Sequence, residues 1–410
     1  DGTIYVDAVV NTTGTPGRSA IVVRDVSTSR GLGEGGDGKI DLVIRANQSG
    51  QANSEYALID AGNAGTVGVV SNATVSTTSG TALNAGNATV YLEAGSTVQI
   101  RETSLTTAPG SAAIRTSSSV DNLGTISGIN TRAAGGTNAN AIDATDATIV
   151  NRRNGGQVGK IQASGDAIFT RGDTLIRNDG EISSLFGAAV QVQGITSTTV
   201  LRNGAQGLIR VGSAFESTGT STTAYQGVSG TDVIVNEGQI VGDIDLGGGN
   251  DIYLDKANGA VTGAIDGGDG DHDAYGRSFS ESGTIALANG SLNANGRTGF
   301  EMHGIEAAGT DTVVTVTAGG ALENGLHIIG DGTVVNDADI TVAGVNYGVF
   351  IRDIANVAGN GTFVNRGNVT AANYALWSES AGGTIRNEGR LAGALGVTID
   401  ADEDASGDEL

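Results

Sequence analysis

The sequence predicts an all-β fold, a parallel β-helix (β-solenoid) forming a single elongated domain with inserted loops. Three observations lead there. A short phrase centred on Asn recurs over much of the chain. The segments around it alternate apolar and polar residues as strands do, and no segment carries a helical period with caps.

Composition narrows the field before any element is placed. The 410 residues hold 67 Gly, about double the usual share, with only 2 Pro and no Gly-X-Y period, which excludes collagen-like and Pro-rich disordered chains. Hydrophobic residues make up 38% and aromatic residues only 4%. A core short of rings is thin, so many narrow cores in series fit better than one thick one. The formal charge of −23 argues against a nucleic-acid partner, whose signature is a basic stripe. Lys occurs only at 39, 160 and 256, so there is no polybasic patch for a membrane surface. No apolar run approaches a spanning helix, and no direct membrane insertion is expected. The lack of Cys removes disulfides, thiolate metal sites and Cys nucleophiles. A start at Asp1, with the only Met at 302, fits a processed or trimmed N-terminus.

The phrase itself has eight copies, anchored at Asn122, Asn151, Asn178, Asn203, Asn236, Asn336, Asn365 and Asn387. An apolar residue stands two before each Asn, for example Val120, Ile176, Ile234 and Phe363. An aliphatic follows four after it in six copies, as at Ile126, Ile182 and Ile240. The copies at Asn151 and Asn203 are the exceptions, with the following segment shifted or expanded. Gly stands two after the Asn at 124, 180, 238, 367 and 389. Residues two apart share one face of a strand. Asn tolerates the left-handed conformation and Gly adopts it freely, so Asn-x-Gly is expected to mark a corner between short strands. Stacked coils would place Asn above Asn in an amide ladder. At about 20–25 residues per coil the chain would make roughly 16–20 rungs spaced by ~4.8 Å.

Three regions are expected. Residues 1–120 carry the phrase loosely and read as divergent coils or an N-terminal cap. Residues 121–400 form the regular helix with Asn corners, and 401–410 an acidic tail or linker. Stretches 30–39, 132–140 and 214–230 read as loops between strands.

Candidate chemistry is sparse. Gly247-Gly248-Gly249-Asn250-Asp251 and Gly267-Gly268-Asp269-Gly270-Asp271-His272-Asp273 are similar to the Gly-Gly-x-Gly-x-Asp repeat of calcium-binding β-rolls. Calcium takes six to eight hard oxygens. The candidate ligands are Asp251, Asp269, Asp271 and Asp273, joined by Asp243, Asp245 or Asp266; an ordinary Gly/Asp-rich corner is the alternative. His272, His303 and His327 fall in no metal-binding spacing and are expected on the surface or in loops. Arg171-Gly172-Asp173 matches an integrin-binding tripeptide, a match common by chance. Tyr347, Tyr374 and Trp377 would form a sugar-stacking platform if neighbouring coils bring them together, with core packing as the alternative. Protease and phosphate-loop signatures are absent, so no catalytic residues are assigned. A glycosidase carboxylate pair in a groove stays open.

The Asn-x-Gly-x-Ile phrases, with Gly242-Asp-Ile-Asp-Leu-Gly-Gly-Gly-Asn-Asp251, resemble the passenger region of bacterial autotransporters over about residues 115–400. The resemblance implies a right-handed parallel β-helix on the outer surface of a Gram-negative cell, exported through a C-terminal barrel that this chain does not carry. The expected function is non-enzymatic adhesion to surface glycans, host or neighbouring cells, or biofilm matrix. A self-assembling filament or surface layer joined head to tail is the alternative, and a polysaccharide-degrading β-helix the third reading.

Overall fold

The computed structural model describes residues 2–11, 19–23, 40–52, 56–62, 64–102, 111–130, 139–214, 219–343, 347–354, 361–380 and 382–399. The expected loop at 30–39, most of that at 132–140 and the tail at 401–410 lie outside these. The described residues form a parallel β-solenoid with no α-helix among them. Two compact units are present: residues 1–227 with 237–244 and 260–263, and residues 228–236 with 245–259 and 264–410.

The first unit is a three-sided coil repeated many times. Its first sheet runs from Gly2–Val6 through Thr89–Leu92, Ser119–Asn122, Thr148–Asn151 and Thr174–Asn178 to Thr198–Asn203. Each strand pairs in parallel with the strand one coil on, which is what a solenoid requires and a sandwich forbids. Register explains the core. Val67, Val90, Val120, Ile149, Ile176 and Leu201 stack as one buried column on the first sheet. Val75, Val98, Ile126, Ile161, Ile182, Ile209 and Ile240 form a second. Leu83, Ile114, Ile142, Ile168 and Val190 form the third. These three aliphatic columns dominate the core, and a ring enters the third of them at Tyr225, the register partner of Val190. Strands within residues 1–120 belong to these same coils.

The two irregular copies of the phrase now have a cause. After Asn151 an antiparallel hairpin, Arg153–Asn154 with Gln157–Val158, is spliced in, so Ile161 takes the aliphatic place opposite Ile126. After Asn203 a turn delays the aliphatic to Ile209, opposite Ile182. The expected loop 214–230 contains a strand, Thr223–Gln226, paired with Val190–Val192. Its buried Ala224 and Tyr225 were hidden in sequence by the polar run before them.

The corners themselves form for a different reason from the one expected. None of the phrase's Asn or Gly residues adopts a left-handed φ. The glycines are required by close approach of successive corners. A Cβ on Gly180 would lie 2.3 Å from the carbonyl oxygen of Gly159, on Gly238 2.3 Å from that of Gly207, and on Gly389 2.1 Å from that of Gly367.

The second unit is also built of parallel strands. In it the first sheet runs Thr231–Asn236, Ile252–Asp255, Ala274–Phe279, Met302–Ala307, Gly325–Ile329, Tyr347–Ile351, Tyr374–Ser378 and Gly396–Ile399. A five-stranded sheet runs Gly283–Leu287, Val313–Ala318, Thr333–Asn336, Thr362–Asn365 and Thr384–Asn387, and a three-stranded sheet comprises Ile340–Val342, Asn368–Ala371 and Arg390–Ala392. Its core gathers Ile305, Val314, Val334, Ile340, Phe363 and Leu376. The Asn phrase therefore sits on the first sheet at Asn236 and on the five-stranded sheet at Asn336, Asn365 and Asn387. The repeat marks a corner of the coil, not one fixed side.

Candidate functional site

Asn corners stack in amide ladders within each unit. In the first unit the Nδ2 of Asn122 donates to Asn151 Oδ1, Asn151 to Asn178 and Asn178 to Asn203, each at 2.8 Å. In the second, Asn336 donates to Asn365 and Asn365 to Asn387, each at 2.9 Å. The same amides close their own corners. Asn122 Oδ1 accepts from the Gly124 amide at 3.1 Å, and Asn151 Nδ2 reaches the Glu181 carbonyl at 3.1 Å. Asn236 donates to the Tyr253 hydroxyl at 3.3 Å, and Asp255 is its register partner on the next strand. An amide carries both a donor and an acceptor, which is why Asn, and not an ionised Asp, can repeat here.

The Gly/Asp-rich stretch divides. Asp251 and Asp273 are buried, whereas Asp269 and Asp271 are exposed. The buried pair belongs to a file of carboxyls that cap backbone amides one rung away. Asp232 N–H donates to Asp251 Oδ1 at 2.7 Å, Asp251 N–H to Asp273 Oδ1 at 2.7 Å, and Asp273 N–H to Glu301 Oε2 at 3.0 Å. The Gly270 amide takes the second oxygen of Asp273 at 3.1 Å. With those oxygens turned to backbone donors, the four predicted ligands do not converge on one oxygen cage. No group of three or more metal-capable side chains exists among the described residues. Asp266 Oδ1 closes its own Asp-x-Gly turn by accepting from the Gly268 amide at 3.3 Å, and Asp245 does the same for Gly247 at 3.1 Å; Asp243 is half-buried in the strand Asp243–Asp245. Burial, reinforced by the neighbouring Asp232 charge, pushes the Asp251 carboxyl up to about 10. Burial pushes Asp273 up to about 7. Burial therefore favours the protonated form of Asp251, whose Oδ1 accepts from the Asp232 amide.

The histidines overturn their expected surface placement, for all three are buried. His272 stacks on Tyr347 with ring centroids 4.3 Å apart, and His327 lies 4.6 Å from the Phe350 ring. In a chain so short of aromatics, imidazoles serve as flat packing groups. Burial lowers His303 to about 4, and burial with the Arg352 charge lowers His327 to about 3, so both are neutral. Tyr347, Tyr374 and Trp377 are brought together by register. Tyr347 pairs with Tyr374, and Trp377 lies 5.4 Å from Tyr347 and 4.8 Å from Tyr374. All three are half-buried. Arg352, beside them, pairs with Glu379 at 3.2 Å and donates to the Thr231 hydroxyl at 3.2 Å. The ends of Arg171-Gly172-Asp173 are engaged within the coils: Arg171 pairs with Asp143 at 2.6 Å and Asp173 caps the Thr198 amide at 2.8 Å.

Sequence reasoning missed Asp232, Glu301 and Arg352. Asp232 and Asp251 share no motif, and only the stacking of coils reveals that they are neighbours. Comparison with protein-family models, with curated proteins and with solved structures finds no match.

Proposed function

We propose that the chain is a non-enzymatic extracellular protein of a Gram-negative cell surface, an autotransporter-type passenger that adheres to surface glycans, neighbouring or host cells, or biofilm matrix. The observation that supports this best is the register of the polar side chains. On the second sheet of the first unit Ser76, Gln99, Ser127, Gln162, Ser183 and Arg210 follow one another at a single position of successive coils. They alternate with the buried aliphatic column, and Gln99 and Gln162 bond the serine of the preceding rung at 3.2 and 3.3 Å. Ser127 and Ser183 are buried in this row, and the half-buried Ser76, Gln99, Gln162 and Arg210 recur along the stack as its accessible polar groups, a repetition from which avidity arises. Beads coated with the full chain should adhere to bacterial lawns and polysaccharide films more strongly than beads carrying an unrelated protein of equal charge. Equal adhesion would remove the reading.

Head-to-tail self-assembly is the second reading. It is favoured by exposed apolar side chains on terminal described rungs: Ile4 and Tyr5 in the first unit, Val397 and Ile399 in the second. Strand edges of this kind template pairing. Fibres in micrographs of the purified chain would support it, and monodisperse particles at all concentrations would exclude it.

A further inference from the structure

The second unit contains a cleft of about 340 Å³ that the adhesive reading does not use. Strands Ile252–Asp255, Ala274–Phe279 and Met302–Ala307 form its back, and residues 283–297 form its side. Asp255, Lys256, Tyr275, Arg277, Arg297 and His303 supply its polar lining. Ile285, Leu287 and buried Leu292 supply an apolar wall.

Two features of this lining point to one ligand chemistry. The first is charge. Lys256, Arg277 and Arg297 converge here in a chain whose formal charge is −23 and which has only 22 Lys and Arg in 410 residues. The single carboxylate among the lining residues is already engaged: Asp255 accepts the Tyr253 hydroxyl at 3.0 Å and the Tyr275 hydroxyl at 2.5 Å. The cleft is locally cationic within an acidic protein.

The second feature is construction. The Arg297 guanidinium lies 4.0 Å above the Tyr275 ring centroid and donates to the carbonyls of Leu292 and Ser291 at 2.9 and 2.6 Å. Tyr275 is in turn stacked on Tyr253, with centroids 5.7 Å apart and planes within 4°. The cation is thus held in place before any ligand arrives, which reduces the ordering cost of binding.

His303 closes the cleft from behind with a buried side chain and offers the ligand no accessible polar atom at Nε2.

We propose that this cleft binds a carboxylated sugar, such as a uronic acid residue of an acidic polysaccharide. The carboxylate faces Arg277, Arg297 and Lys256, and the C–H face of the ring lies on Ile285, Leu287 and Leu292. The volume is at the small end of the roughly 300–1,000 Å³ seen for small-ligand sites, which suits a short stretch of sugar. The inference supplies a ligand class for the adhesion reading and rests on it for its setting. The two are measured separately, one with soluble sugar and one with coated beads, so either can fail alone.

The test is titration of the full chain with a galacturonic acid disaccharide, its neutral galactose counterpart, and inorganic phosphate. The acidic disaccharide should bind at least about tenfold more tightly than the neutral one, and raised salt should weaken it, since the rim charges are solvent-accessible. Arg277→Ser, at an exposed position, should weaken the acidic sugar about tenfold while leaving the melting midpoint unchanged. Lys256→Ser gives a second, independent loss if Arg277→Ser disturbs folding. Equal affinity for acidic and neutral sugars would overturn the proposal, as would undiminished binding in both variants. Phosphate binding as tight as the acidic sugar would show a bare anion site and overturn the sugar assignment.

Discussion

Replacing Asn365 by Ala tests the amide ladder where its geometry is most complete. Asn365 is fully buried, accepts from Asn336 Nδ2 at 2.9 Å, and donates to Asn387 Oδ1 at 2.9 Å and to the Gly367 carbonyl at 3.1 Å. The substitution deletes these bonds, leaves Asn336 Nδ2 with the Ala338 carbonyl alone, and strips Asn387 Oδ1 of its donor. A net hydrogen bond contributes about 0.5–1.5 kcal/mol, and a buried group left unpaired costs about 1–3 kcal/mol. The expected loss is about 3 kcal/mol. Asn387 ends the same ladder and is exposed, so water replaces what Asn387→Ala removes, and the expected loss is under about 1 kcal/mol. The only Trp, Trp377, lies in the same unit, so denaturant unfolding followed by Trp fluorescence reports on both variants. If Asn365→Ala costs no more than Asn387→Ala, the ladder is decorative and the reasoning fails.

Other predictions concern the buried titratable groups and the close contacts. Between about pH 4 and 6.5 the unfolded chain protonates histidines that the fold keeps neutral at 303 and 327, so these groups lose stability as pH falls. Asp251 and Asp273 act in the opposite sense, holding protons that the unfolded chain releases, and the two effects oppose each other in that window. Above about 7 only Asp251 among these still holds its proton. Stability of the second unit should then fall toward pH 10 by up to about 1.4 kcal/mol per unit. Asp251→Asn, which keeps an acceptor for the Asp232 amide, should flatten that alkaline slope in melts across pH; an unchanged slope would show that Asp251 is not its source. A calcium chelator should leave the melting midpoint unchanged, because Asp251 and Asp273 cap amides while Asp269 and Asp271 face solvent; a clear drop would restore a calcium site. Gly276→Ala should destabilise by more than about 2 kcal/mol, since its Cβ would fall 1.7 Å from the Gly304 carbonyl oxygen, and a variant that melts like the parent would contradict that contact.

The repeat was legible because each coil solves the same problem with the same residues. Val120, Ile149, Ile176 and Leu201 can be read two before their Asn without knowing any distance, and their buried column follows from stacking. The reason for the corner Gly was not legible. Close approach of Gly180 to Gly159 depends on the neighbouring coil, whereas left-handed φ is a local property and was the natural guess. The histidines were misplaced for a related reason. Their burial beside Tyr347 and Phe350 comes from residues tens of positions away, and a lone His has no periodic neighbours to announce it. The carboxyl file from Asp232 to Glu301 stayed hidden because its members stand on different rungs. In a solenoid, contacts along the stack are read from register, and register appears in sequence only where the repeat is regular.

The central claim, parallel rungs stacked in one register, is tested most directly by cross-linking in a chain that has no cysteine of its own. Arg177 and Arg202 are register partners on adjacent rungs of the first unit, while Lys160 stands on a different sheet of that unit. Parallel neighbours one strand spacing apart lie within the Cα range that a disulfide spans. Arg177→Cys with Arg202→Cys should close an intramolecular bond under mild oxidation, and Arg177→Cys with Lys160→Cys should stay reduced. Closure of the second pair in place of the first would contradict the stacked solenoid.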